Sequence, residues 1–339
     1  MHANRNSSRG TIARLVNDRT IPLFFVYGVI VLLLIAANLL KPGFLSATNI
    51  SNLLRQSSFL GIVCIGQTLV ILTGGIDISV DNMIVLANVL SAEIMAKQDA
   101  NIPRALLVSL AVGALFGALN GIGVYYLKVP SLVMTLATGN ILHGVAYIYC
   151  SGAPVGYSAP LITKLVSNNF WGLFTGTTFL WIALAALCIV ILKFTVFGRS
   201  IYAVGTSQLV SRYSGINAAS TTIFCYVISG VCAALTGLIL VGYTGTSYMS
   251  IGGDYEASSI AAVVAGGTLI SGGRGGYAGT IAGVIIMVVV SSLMTMLNVG
   301  EAGRELIQGL IIVVLLLAVF SNKTRSRRPS KEVKEAVSK

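Results

Sequence analysis

Ten apolar runs separated by polar connections divide the sequence: 21–40, 59–73, 83–96, 105–127, 132–150, 179–194, 222–243, 257–270, 277–297 and 305–320. A hydrocarbon core about 30 Å thick takes about 20 helical residues to cross. With no water at that depth, a helix is the fold that satisfies each peptide group within its own segment. The expectation is an all-α polytopic membrane protein with about ten transmembrane helices. Only 10% of residues are charged, against the ~25% usual in soluble domains. With 55% apolar residues, a cytosolic enzyme, a disordered chain and a nucleic-acid-binding domain are excluded. The formal charge of +11 does not change this.

The positions of the charges explain the excess. Arg5, Arg9, Arg14 and Arg19 precede the first run, and Lys323, Arg325, Arg327, Arg328, Lys331, Lys334 and Lys339 follow the last. Basic tails of this kind stay in the cytoplasm and attract anionic lipid. Without the tails, the connections hold five basic residues inside and six outside, so the tails set the orientation. The organisation read from this is a cytoplasmic tail at 1–20, a transmembrane domain at 21–320 with an inner loop at 195–221, and a second cytoplasmic tail at 321–339. The first run is long enough to span and does not read as a cleavable signal. Cys64, Cys150, Cys188, Cys225 and Cys232 form no CxxC pair. They read as small buried hydrophobes, with Cys150 near an outer boundary as the one exception.

The runs 59–73, 83–96 and 257–270 are too short to span as they stand. Each either extends into flanking polar residues or breaks within the membrane. Short, glycine-interrupted segments are the usual pointer to a substrate pathway. Gly113, Gly117 and Gly121 recur every four residues, as do Gly279 and Gly283; this spacing serves close helix packing.

Between the second and third runs stand Gly74, Gly75, Asp77, Ser79, Asp81 and Asn82. Two readings are open. The glycines can unwind the backbone beside a pathway, where intramembrane acids are otherwise rare. Alternatively the stretch is a solvated turn with Asp77 as helix cap. Asn140 and His143 share one face of the fifth run, either as a hydrogen-bonded interior pair or as a pathway wall; a lone histidine makes no zinc site. Glu93 has no assigned role. In the inner loop, Ser207 can start a short helix that stops before Gly215, making a cytoplasmic docking element. The connection 244–256 is polar and glycine-rich, with Asp254 and Glu256, and falls outside. No Gly-Lys-Ser/Thr phosphate loop occurs. No cofactor or metal is therefore expected in this chain, and it is not read as an enzyme.

At these motifs the chain resembles the inner-membrane permease subunits of bacterial ABC importers for monosaccharides. Their Gly-Gly-Ile-Asp-Leu-Ser-Val is met by Gly74, Gly75, Ile76, Asp77, Ile78, Ser79 and Val80. Their Phe-Gly-Arg-x-Ile-Tyr-Ala-x-Gly is met by Phe197, Gly198, Arg199, Ile201, Tyr202, Ala203 and Gly205, and their Arg-x-Ser-Gly-Ile-Asn by Arg212, Ser214, Gly215, Ile216 and Asn217. A late glycine-rich pattern is largely met from Ser259 to Gly275. The resemblance implies a type II importer-like fold of roughly ten helices, in the bacterial inner membrane with both termini cytoplasmic. It implies a second permease subunit (identical or a paralogue), an ATP-binding subunit that holds ATP and Mg, and a periplasmic sugar-binding protein, with no nucleic acid. The pathway candidates are then Gly74, Gly75, Asp77, Ser79, Asp81, Asn140 and His143. The candidates for coupling to the ATPase are Gly198, Arg199, Tyr202, Gly205, Val210, Arg212, Ser214, Gly215 and Asn217.

The chain departs from the resembled pattern at Asp81 and Asn82 (usually Gly, then Ser or Ala), at His143 (usually Arg) and at Ser258 (usually Asp). The expected function is import of a small sugar by alternating access, the sugar being a ribose-like pentose, another monosaccharide or a furanosyl signal. The alternative is an ion-coupled secondary transporter, with Asp77, Asp81 and His143 as coupling groups.

Overall fold

The computed structural model describes residues 27–300 except Trp171, together with five residues between 303 and 310. The tails at 1–20 and 321–339 lie outside the described residues, as does most of the run 305–320. The described residues form a helical bundle: α1 (Tyr27–Leu40), α2 (Ala47–Leu72), α3 (Val80–Met95), α4 (Ile102–Tyr125), α5 (Ser131–Cys150), α6 (Pro160–Ser167), α7 (Gly176–Phe194), α8 (Val196–Thr206), α9 (Gln208–Tyr213), α10 (Ala218–Thr244), α11 (Tyr255–Ala265) and α12 (Tyr277–Met296). A short hairpin, β1 (Asn169–Phe170) and β2 (Phe174–Thr175), follows α6. Among the described residues, six helices are long and apolar enough to cross a membrane: α2, α4, α5, α7, α10 and α12; α1 and α11 are apolar but shorter.

The connections gather at two ends. At one end the Leu72 carbonyl accepts from Gly273 N–H at 2.9 Å, and Tyr202 donates to the Gly275 carbonyl at 3.0 Å. At the end carrying the hairpin, Tyr157 N–H donates to Ala92 O, Ser158 N–H to Gly245 O, and Ser51 to Asn169. The first is called the motif end below, because the glycine motifs read from the sequence meet there, and the second the hairpin end.

The three short runs resolve differently. The run 59–73 extends backwards as α2, because no glycine or proline interrupts the polar stretch after its cap, Ser46. The run 83–96 remains short: α3 has 16 residues, about 24 Å. The run 257–270 breaks at Gly266, leaving the 11 residues of α11, about 16 Å. Helices α2 and α11 end in the same turn. Gly74 N–H reaches Ile71 O and Gly75 N–H reaches Val70 O; Gly267 N–H reaches Val264 O and Thr268 N–H reaches Val263 O. Gly74 and Gly267 take φ of +84° and +85° in these turns, a left-handed conformation that glycine adopts without strain.

Helix α10 is the axis of the bundle, packed against α2, α3 and α4. A Cβ at Gly113 or Gly117 would run into the α10 backbone at Gly230 or Tyr226, and one at Gly283 into Ala262 of α11. Both glycine stripes are therefore packing surfaces. Trp181 on α7 donates to the Tyr277 hydroxyl at 2.8 Å, which donates to Gly61 O at 2.7 Å, tying α7, α12 and α2. Outward faces of α4, α5 and α7 expose Leu107, Leu115, Ile148 and Leu187, as lipid-facing surfaces do.

Candidate functional site

After the turn at Gly74 the chain does not leave the bundle. Residues 75–78 are non-helical and climb back beside α2. A Cβ at Gly75 would meet the Tyr226 hydroxyl, and Gly66 of α2 abuts Ser229 of α10 at the level the segment reaches. Unwound backbone inside a membrane protein needs partners for its polar groups. Here α5 supplies them: Ile76 N–H donates to Ser131 Oγ and Ile78 N–H to Thr135 Oγ1, both at 3.2 Å. The segment runs directly into α3, whose N-cap position is Ser79.

Asp77 lies on this segment and is 1% exposed. Its Oδ1 accepts from Ser79 N–H at 3.0 Å and Ser79 Oγ at 2.6 Å, and its Oδ2 accepts from Ser229 Oγ at 2.8 Å. Asn120 on α4 donates to Ser79 Oγ at 3.0 Å. The carboxylate thus joins the unwound segment to α10 and, through Ser79, to α4. It is neither solvated nor the cap of α3, whose N-cap position is Ser79.

One turn further on, Asp81 and Asn82 face a cavity of about 640 Å³. Its walls are Gln56 and Phe59 from α2, His143 from α5, Tyr243 from α10, Tyr255 and Ser258 from α11, and Met287 and Ser291 from α12. Tyr248 to Asp254 complete it, except for Gly252, which packs on the Asp81 carbonyl. The connection 244–256 therefore folds down into the bundle before α11 starts. Two half-length helices, α3 and α11, begin at this cavity, each with an acid in its first turn, Asp81 and Glu256.

A junction of glycines occupies the motif end. A Cβ on Gly205, in the last turn of α8, would collide with the Leu72 carbonyl; one on Gly272 would lie 2.9 Å from Gly74 N and 3.0 Å from Gly205 O. Three segments far apart in sequence meet here backbone to backbone. Helix α9 follows, with Ser207 Oγ accepting from Val210 N–H at 3.3 Å as its cap, and Gly215 at φ +75° ending it. Leu209, Val210, Arg212 and Tyr213 are exposed on it.

The structure divides the sequence candidates into groups. Asp81 and His143 share the cavity; Gly74, Gly75, Asp77 and Ser79 build the packed segment beneath it; Asn140 is exposed on α5 and does not line the cavity. Gly198, buried against the carbonyls of Ile191 and Leu192, Tyr202 and Gly205 fix α8, and Arg199 is exposed on it. Ser214 donates to Val210 O at 3.0 Å, and Asn217 caps α10 by accepting from Ser220 N–H at 3.0 Å. Arg212, Gly215 and Asn217 line a smaller hollow of about 370 Å³ with Tyr125 and Tyr126. Sequence reasoning missed Gln56, Tyr243, Tyr248 and Ser291 as cavity residues. The available signal was the density of Tyr, Ser and Asp in 243–258, between two apolar runs.

Residues 49–319 match the family described as branched-chain amino acid transport system / permease component. The ribose import permease protein RbsC of Haemophilus influenzae is 32% identical over 295 residues, covering 85% of this chain and 90% of that protein. RbsC of Escherichia coli K12 is 34% identical over 298 residues (87% and 92%), and its galactose/methyl galactoside import permease protein MglC is 32% identical over 307 residues (85% and 91%). No solved structure matches the chain significantly. With a bundle of apolar spans, no phosphate loop in its sequence and a match over most of its length, the chain belongs to this permease family, as the multi-pass membrane subunit of an ABC importer whose ATPase is a separate chain and not as an enzyme.

Proposed function

We propose that the chain passes a small sugar across the bacterial inner membrane by alternating access, powered by ATP and Mg held in the partner ATPase. The observation that carries this reading is the cavity at Asp81. It is lined by amides, hydroxyls, two carboxylates and aromatic rings, the groups that hold polyols, and it sits at the start of two short helices, α3 and α11. The relatives named for ribose and galactose import support the substrate class. Ten spans, both termini in the cytoplasm, a second permease subunit, a periplasmic sugar-binding protein and basic tails on anionic lipid belong to the same proposal. In that orientation the motif end faces the cytoplasm, and α8 and α9 offer the ATPase a helix fixed by backbone contact to the ends of α2 and α11.

The test is reconstitution. Proteoliposomes holding the full importer and ATP take up labelled ribose or galactose; those holding this chain alone do not, whatever ion gradient is imposed. Uptake by the chain alone under a sodium or proton gradient would overturn the reading.

A further inference from the structure

Resting on that sugar-permease reading, we infer that the permease itself selects its cargo, through a site centred on Asp81 that holds uncharged polyols and rejects anionic sugars. Oδ1 of Asp81 accepts from Asn82 N–H and, at 3.0 Å, from Asn82 Nδ2. Asp81 lines the cavity, and Asn82 is its one side-chain hydrogen-bond partner among the described residues. An ionised carboxylate has acceptor capacity for about four donors, so the group has room for the neighbouring hydroxyls of a sugar.

The opposite walls supply the rest of a polyol site. Gln56 brings an amide that both donates and accepts, and Ser258 a hydroxyl. The rings of Phe59 and Tyr243 stand edge to face, with centroids 5.6 Å apart, and offer an apolar wall for the C–H face of a pyranose or furanose. At about 640 Å³ the cavity is within the ~300–1,000 Å³ of small-molecule sites.

Charge sets the exclusion. Asp81 and Asp254 both line the cavity, and no lysine or arginine does among the described residues; Arg55, next to Gln56 on α2, is not in the lining. His143 faces in from α5 as the one residue there able to gain positive charge. A phosphate or carboxylate on the sugar would enter a region of low dielectric against like charge, where such repulsion is strongest. The binding protein's selectivity is thus duplicated by a second, charge-reading filter in the membrane.

The test uses the purified full chain in nanodiscs, with D-ribose and D-ribose 5-phosphate as probes and saturation-transfer NMR as the readout. Ribose binds, and ribose 5-phosphate binds at least about tenfold more weakly. Asp81→Asn brings the two affinities together, since the amide keeps hydrogen bonding and loses the charge. Gln56→Ala weakens ribose binding and leaves the phosphate excluded, a control independent of Asp81. Equal binding of the two probes to the natural chain, an unchanged preference in Asp81→Asn, or no ribose binding at all would each overturn the inference. ATP-driven uptake by the full importer would still uphold the permease reading in any of those cases.

Discussion

Asp77 and Asp81 are four residues apart and hold opposite positions. Asp77 is buried in three hydrogen bonds that come from α10 and from its own segment. Asn at 77 keeps the shape, and Ser229 can turn its hydroxyl to accept from the amide, but the three bonds lose the charge of the carboxylate. Bonds to charged groups contribute about 1.5–3 kcal/mol, and Asp77→Asn is expected to destabilise the purified chain by about 2 kcal/mol or more, read as a lower melting temperature. Ser229→Ala, which removes a single donor, should lower it less. Asp81→Asn should leave it nearly unchanged, because the Asp81 side chain bonds only to its neighbour Asn82. The sequence flagged both acids as unusual, and could not rank them: which one is enclosed depends on Ser229, 152 positions away.

Elements at the motif end are joined through backbone, so their tolerance is decided by Cβ atoms and N–H groups. Alanine at 205 would push α8 off the Leu72 carbonyl and strain the Gly273–Leu72 hydrogen bond. Gly205→Ala is therefore expected to lower sugar-stimulated ATP hydrolysis by the complete importer severalfold while the chain still inserts. Helix α9 separates fold from charge in another way. Proline at Val210 would remove the N–H that donates to Ser207 Oγ, and with it the cap of α9. At Arg212, in the last turn, the same residue would lose a helical N–H and clash with the turn before it, at a cost of up to about 3 kcal/mol. Arg212→Pro should uncouple ATP hydrolysis from transport; Arg212→Ala should only weaken coupling, as an exposed charge contributes about 0–1 kcal/mol. Equal loss in both would assign the effect to the guanidinium. The Ser207 start and Gly215 stop of α9 were readable because capping is local chemistry. The descent of 245–254 was not: Tyr248 N–H donates to Asn88 and Gly252 packs on the Asp81 carbonyl, contacts that no local pattern reveals.

For the whole molecule, six of the ten apolar runs became helices long and apolar enough to span among the described residues, since crossing lipid imposes a length that composition alone reports. What they could not report was which polar faces remain open. Helix α5 exposes Asn140 among lipid-type residues such as Ile141 and Ile148. Polar groups facing hydrocarbon are costly, so α5 is the face expected to meet the second permease subunit. The five native cysteines are all buried, which leaves introduced ones readable. Asn140→Cys should crosslink two permease subunits under mild oxidation in membranes, and Leu187→Cys on α7 should not. The reverse pattern would move the subunit interface to α7.

The unwound segment before α3 also bears on how the chain is made. With only 16 residues, α3 falls short of the ~20 that a translocon reads as a complete membrane helix. Asp77 meets Ser229 only once α10 has been synthesised. During biosynthesis, then, a short helix and an uncovered acid must wait for more than a hundred residues of later chain. Nascent chains cut off before α10 should hold this region loosely and be the preferred substrates of membrane quality-control proteases.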